Sequence, residues 1–120
     1  MSGFSDALKK VAARVPETQM LIVMAADGIP IEKLIVRPDA DLEAIAAEYT
    51  TLLRASSHTA SDTGLGALQE LSVVTEKMVA LIVAITSEYF LFAALAPGAL
   101  MGRARFALRM AGIALEKEFE

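Results

Sequence analysis

Three stretches of this chain are apolar without interruption: Met20–Ala26, Met78–Ile85 and Tyr89–Ala96. A strand with one wet face alternates apolar and polar residues, whereas a strand covered on both faces reads as a continuous apolar run. Each run is too short for an ordinary helix, and turn-forming or polar residues bound it. The chain therefore has to supply a sheet whose inner strands are covered on both sides. That requirement predicts an α/β sandwich of three layers.

The runs Met78–Ile85 and Tyr89–Ala96 adjoin closely enough to be weighed as one membrane span. Thr86-Ser87-Glu88 interrupts them at the centre, and a charged residue there costs roughly 2–3 kcal/mol in a bilayer. Two buried strands joined by a polar turn fit better, so no membrane span is expected. The opening Met1-Ser2-Gly3-Phe4-Ser5-Asp6 lacks the basic region and apolar run of a secretory signal. The expected compartment is cytoplasmic.

The remaining elements follow from periodicity and breakers. Phe4, Ala7, Leu8, Val11, Ala12 and Val15 fall at helical spacing, and Pro16 ends that helix because a residue before proline avoids helical geometry. After the strand Thr18–Ala26, Asp27-Gly28 suits a type I′ hairpin turn. The returning strand, Ile29–Val36, carries Pro30 and so belongs at a sheet edge. A long helix is expected from about Ala40 to Ser61, capped by Asp39, with Asp41 and Glu43 at its positive end. Leu42, Ile45, Ala46, Tyr49, Leu52, Leu53, Ser56 and Ala60 form its core stripe.

Beyond the break Asp62-Thr63-Gly64-Leu65-Gly66, three strands are expected: Leu68–Thr75, Met78–Thr86 and Tyr89–Ala96. In the first, Leu71 and Val73 share one face, and Glu70 and Ser72 the other. Pro97-Gly98 precedes a last helix from about Ala99 to Phe119. Its stripe is Leu100, Ala104, Ala107, Leu108, Ala111 and Leu115, widened by Phe106, Met110 and Ile113. Gly112 inside it implies close packing. The order is helix, two strands, helix, three strands, helix, with a five-stranded antiparallel sheet in one domain over residues 1–120. The middle helix takes one face and the terminal pair the other.

Hydrophobic residues make up 55% of the 120 residues, above the roughly 45–50% usual for a soluble domain. So small a chain with that excess implies burial against another subunit. The middle helix offers the surface. Its second face, Ala44, Ala47, Glu48, Thr51, Ala55 and His58, is mostly small residues spaced three and four apart, which lets two helices approach closely. A two-fold axis would set this face against itself. Ala is also a good helix former on any exposed face, but charges are sparse along the whole helix, which favours packing. If Leu68–Thr75 is the sheet edge, its free backbone groups offer a second contact with the same strand of a partner.

Chemistry finds little support. There is no Cys and one His, which leaves neither a thiolate metal site nor a cysteine nucleophile. His58 reads as a helix-surface or interface residue, and Ser56-Ser57-His58 point in different directions on a helix. Gly64-Leu65-Gly66 lacks the third glycine and the strand-to-helix setting of a dinucleotide loop. The net charge is −4 with no basic block, so nucleic-acid binding has no electrostatic footprint. Arg103, Arg105 and Arg109 are expected to pair with acidic surface residues. Glu116, Glu118 and Glu120 read as a solvated, fraying helix end. No catalytic residue, cofactor or metal is expected.

The order of elements, with three local stretches, resembles the roadblock family, the fold of dynein roadblock light chains and of bacterial gliding-motility regulators. The stretches are the apolar strand ending in Ala26-Asp27-Gly28, Asp41-Leu42-Glu43-Ala44-Ile45-Ala46-Ala47 at the start of the long helix, and Gly98-Ala99-Leu100-Met101-Gly102-Arg103-Ala104-Arg105 at the entry to the last. The resemblance covers nearly the whole chain. It implies a homodimer or heterodimer with central helices side by side and one sheet continued through the third strand. It places Ala44, Ala47, Thr51, Ala55, Leu71 and Val73 at the dimer interface. It also implies binding of a small Ras-like GTPase, as an activating partner or a scaffold, or of motor subunits. It carries no catalytic residue to this sequence. The competing expectations are an assembly adaptor that leaves GTP hydrolysis unchanged and a small-ligand sensor.

Overall fold

The three apolar runs become the three inner strands of one five-stranded sheet. The computed structural model describes residues 3–37 and 41–120. Within it the strands are β1 (Thr18–Ala25), β2 (Pro30–Ile35), β3 (Glu70–Val74), β4 (Val79–Ala84) and β5 (Tyr89–Leu95). Their spatial order is β2-β1-β5-β4-β3, with every neighbouring pair antiparallel. The mixed-polarity strands β2 and β3 therefore lie at the edges.

Register sorts the inner residues into two cores. Ile22, Phe92 and Ile82 stand in one row across β1, β5 and β4, and Leu21, Ala93 and Leu81 in the next. Successive side chains point to opposite faces, so the first row serves one core and the second the other. Helices α1 (Gly3–Arg14) and α3 (Met101–Glu116) cover the face carrying Leu21, Val23, Leu81 and Leu91. Helix α2 (Leu42–Asp62) covers Met20, Ile22, Ile82, Phe90 and Phe92 on the other. These are the three layers the sequence implied.

Five local expectations need correction. Only Gly28 of the Asp27-Gly28 pair has positive φ, at 93°, which excludes a type I′ turn. Gly28 N–H instead bonds back to Ala25 O, and the Asp27 carboxylate accepts from Ile29 N–H. The loop is a three-residue turn closed by a glycine bulge.

At the start of α2, Asp39 and Ala40 lie outside the described residues. The cap is Asp41, whose carboxylate accepts from Ala44 N–H at 3.1 Å. The α2 stripe differs from the expected one at two positions. Thr50 is buried, whereas Leu52 is 41% exposed. Gly28 packs beside Thr50: a Cβ placed there would lie in ordinary contact, 3.4 Å from Thr50 Oγ1. The Thr50 hydroxyl is satisfied by donating to Ala47 O, so its burial costs little.

On α3, the buried residues are Ala104, Ala107, Leu108, Ala111, Gly112 and Leu115. Leu100, Phe106, Met110 and Ile113, expected in or beside the stripe, face outward. Small residues beside Leu108 and Leu115 let α3 lie close to the sheet next to α1, so only a narrow stripe of the helix is covered. The acidic tail does not simply extend the helix. It tightens into a 3₁₀ turn, Lys117–Phe119, and the Phe119 ring stacks on Tyr89 at 4.0 Å and meets Phe4 edge-on at 5.3 Å.

Candidate interaction surface

Helix α2 touches the molecule along one narrow line. Leu42, Ala46, Thr50 and Leu53 are its buried residues, and Tyr49 lies tilted against Phe92 with ring centres 6.0 Å apart. The opposite row, Ala44, Ala47, Glu48, Thr51, Ala55 and His58, is exposed throughout. Glu43 is drawn away to Lys33 on β2, with Nζ and Oε1 2.8 Å apart. His58 Nε2 sits 3.0 Å from Asp62 Oδ2, one turn on along the same helix. The row thus offers methyl groups, one hydroxyl and two ionisable side chains at its margin.

Strand β3 adds an edge on the same side of the sheet. Leu71 and Val73 are half-buried and pack into the core beneath α2. Their strand pairs with β4 alone among the described residues, so its outer backbone groups are unpaired within the chain. The face opposite to Leu71 is anchored. Glu70 accepts from Arg105 Nε at 2.7 Å and from Arg109 Nη2 at 3.0 Å. Two guanidinium groups of α3 therefore hold one carboxylate of the edge strand. Burial pushes the Glu70 pKa up, but the hydrogen bonds and charges of Arg105 and Arg109 outweigh it and hold the pKa below its ordinary 4.5. The ion pairing expected for the arginine cluster is present for Arg105 and Arg109. It is absent for Arg103, which has no such partner among the described residues.

The two sheet edges differ in protection. β2 begins with Pro30, has an irregular register beside its turn and carries Lys33, all devices that discourage a further strand from pairing. β3, Glu70-Leu71-Ser72-Val73-Val74, contains no proline and no lysine.

Sequence reasoning missed a cleft at the far end of α2. Ser57, Ser61, Leu68, Gln69, Thr86 and Phe90 are among its lining, and its volume is about 590 Å³. It is assembled from four segments separated in the chain, so no local pattern announces it. Its only sequence trace is the Ser57/Ser61 pair, one turn apart, before the glycines Gly64 and Gly66. Among the described residues no ionisable side chain lines it, and it opens widely to solvent. Among the described residues, no group of three or more His, Asp or Glu side chains is placed to hold a metal ion. No helix among them is long and apolar enough to cross a membrane.

The family model of the Roadblock/LC7 domain matches residues 5–96. The chain belongs to the Roadblock/LC7 family. No curated protein matches the sequence. Among solved structures, MglB of Myxococcus xanthus superposes with a TM-score of 0.86 at 13% identity, over 99% of this chain and 96% of that one. The gliding protein MglB of Thermus thermophilus gives 0.84 at 14% identity, over 96% and 87%. MglC of Myxococcus xanthus is more alike in sequence, 26% identical over 98% and 99%, with a TM-score of 0.70. Membership in this family supports a non-enzymatic adaptor or a GTPase-associated module.

Proposed function

We propose that residues 1–120 form a single roadblock domain that works as a cytoplasmic homodimer and regulates or scaffolds a small Ras-like GTPase without catalytic residues of its own. The dimer reading is carried by the contrast between the two sheet edges. An unguarded edge strand invites pairing, and Leu71 and Val73 of β3 pack on the sheet face that α2 covers. Two-fold pairing through β3 would continue the sheet across both subunits and bring the Ala44, Ala47, Thr51 and Ala55 rows together. Leu71 and Val73 would then lose their remaining exposure, and Glu48 and His58 would flank the seam.

The GTPase reading rests on family membership, joined to the likeness to MglB and MglC. Its test is size-exclusion chromatography with a Ras-like GTPase of the source organism, loaded in turn with GDP and a non-hydrolysable GTP analogue. A complex that depends on the nucleotide is expected. Absence of such a complex with every Ras-like GTPase of that organism rejects the reading. Complex formation with an unchanged hydrolysis rate assigns the chain to the adaptor class instead. The sensor reading draws only on the cleft near Ser57. Its lack of an ionisable lining residue leaves it no strong handle for a charged metabolite.

A further inference from the structure

The outward side of α3 is apolar where a lone surface helix would be polar. Phe106, Met110 and Ile113 follow one another at intervals of four and three and are 61%, 45% and 62% exposed. Scattered apolar residues on a surface are ordinary, but a contiguous row of large ones marks a contact surface. Beside the row, α1 and α3 enclose a shallow hollow of about 190 Å³ with Lys10, Arg14 and Met110 in its wall. An adjoining hollow is lined by Arg14, Arg103, Phe106 and Ala107. Among the described residues, the charged members of the two linings are all cations and no carboxylate joins them. Among the described residues, Lys10, Arg14 and Arg103 have no ion-pair partner, in a chain whose net charge is −4. Arg105 and Arg109, by contrast, are engaged by Glu70.

We infer that the α1–α3 face docks an acidic amphipathic helix of a partner protein. Its apolar side would lie along Phe106, Met110 and Ile113, and its carboxylates would meet Lys10, Arg14 and Arg103. The furrow between two helices accepts the side-chain ridge of a third. Both sheet edges lie away from this face, so strand addition is not available here. The site is on the opposite side of the sheet from α2 and can be filled while a β3-paired dimer persists. It is thus independent of the GTPase reading.

The probe is a fluorescein-labelled synthetic helix of about 18 residues, long enough to be partly helical alone, with Leu at helical spacing flanked by Glu. Anisotropy should show saturable binding that weakens with added salt. Phe106→Ser and Arg14→Glu, each checked for folding by circular dichroism, should weaken it by about tenfold or more, as loss of a central anchor does. Leu65→Ser, in the loop after α2 where the side chain is exposed, should leave it unchanged. The inference is overturned if the peptide does not bind, if a control with Lys in place of Glu binds as well, or if the two variants bind like wild type. Two further outcomes overturn it in favour of other occupants. Sedimentation of the protein with phosphatidylglycerol vesicles but no peptide binding assigns the face to a lipid surface. Assembly beyond a dimer that Phe106→Ser abolishes assigns it to a second copy.

Discussion

Glu70 shows how one side chain fixes an edge. Its carboxylate is 18% exposed, between two guanidinium groups about half exposed, and it ties β3 to α3 while Leu71, next along, turns to the opposite core. Because the folded pKa lies below the ordinary value of 4.5, the ion pair adds stability that is fully present above pH 4.5. That contribution is lost as pH falls through the folded value. The partners' exposure keeps it at about 1 kcal/mol or less at neutral pH. Glu70→Gln should therefore lower the urea midpoint at neutral pH, and the difference from wild type should vanish in strong acid. An offset that stays constant with pH would show that Glu70 acts through packing alone. Thr50 carries a related lesson: a polar residue can enter the core when a local carbonyl accepts its hydroxyl.

At the scale of elements, the strands were legible because burial on both faces leaves an unbroken apolar record. Met20–Ala26, Met78–Ile85 and Tyr89–Ala96 map onto β1, β4 and β5, and Pro30 correctly marks an edge. Helix faces were less legible. Periodicity says which residues share a side, but not how wide a stripe the neighbours allow. On α3 the stripe was drawn too wide, since α1 competes for the same sheet face. On α2 the stripe differs at two positions, Leu52 turning outward and Thr50 inward. The small-residue row of α2 was legible, and the cleft beside Ser57 was not. Gly112 offers a test at this scale. It is buried, yet a Cβ there would sit at an ordinary 3.6 Å from Ala84 O, and its φ is not positive. Gly112→Ala should thus stabilise the protein by about 0.5–1 kcal/mol through helix propensity. Thermal unfolding of the variant measures this directly, and a lowered midpoint would mean that β4 has to shift to admit the methyl group.

For the whole molecule, the excess of apolar residues finds two outlets. One is internal, the two cores on either face of the sheet. The other is external: the small-residue row of α2 with the β3 edge, and the outward row of α3. The proposed dimer covers the first of these external surfaces, and the proposed acidic helix the second. The two surfaces lie on opposite sides of the sheet, so a dimer would hold two partner-binding faces outward at once, as suits a scaffold. The dimer is the central claim of the proposed function. Its most direct test is the solution mass of the wild-type chain and of Ala47→Arg, by light scattering coupled to size exclusion. Wild type should run at twice the 12.8 kDa chain mass, and Ala47→Arg, with a guanidinium in the helix seam, should fall to monomer or aggregate. A wild-type monomer, or a dimer that Ala47→Arg leaves intact, would contradict the α2–β3 interface.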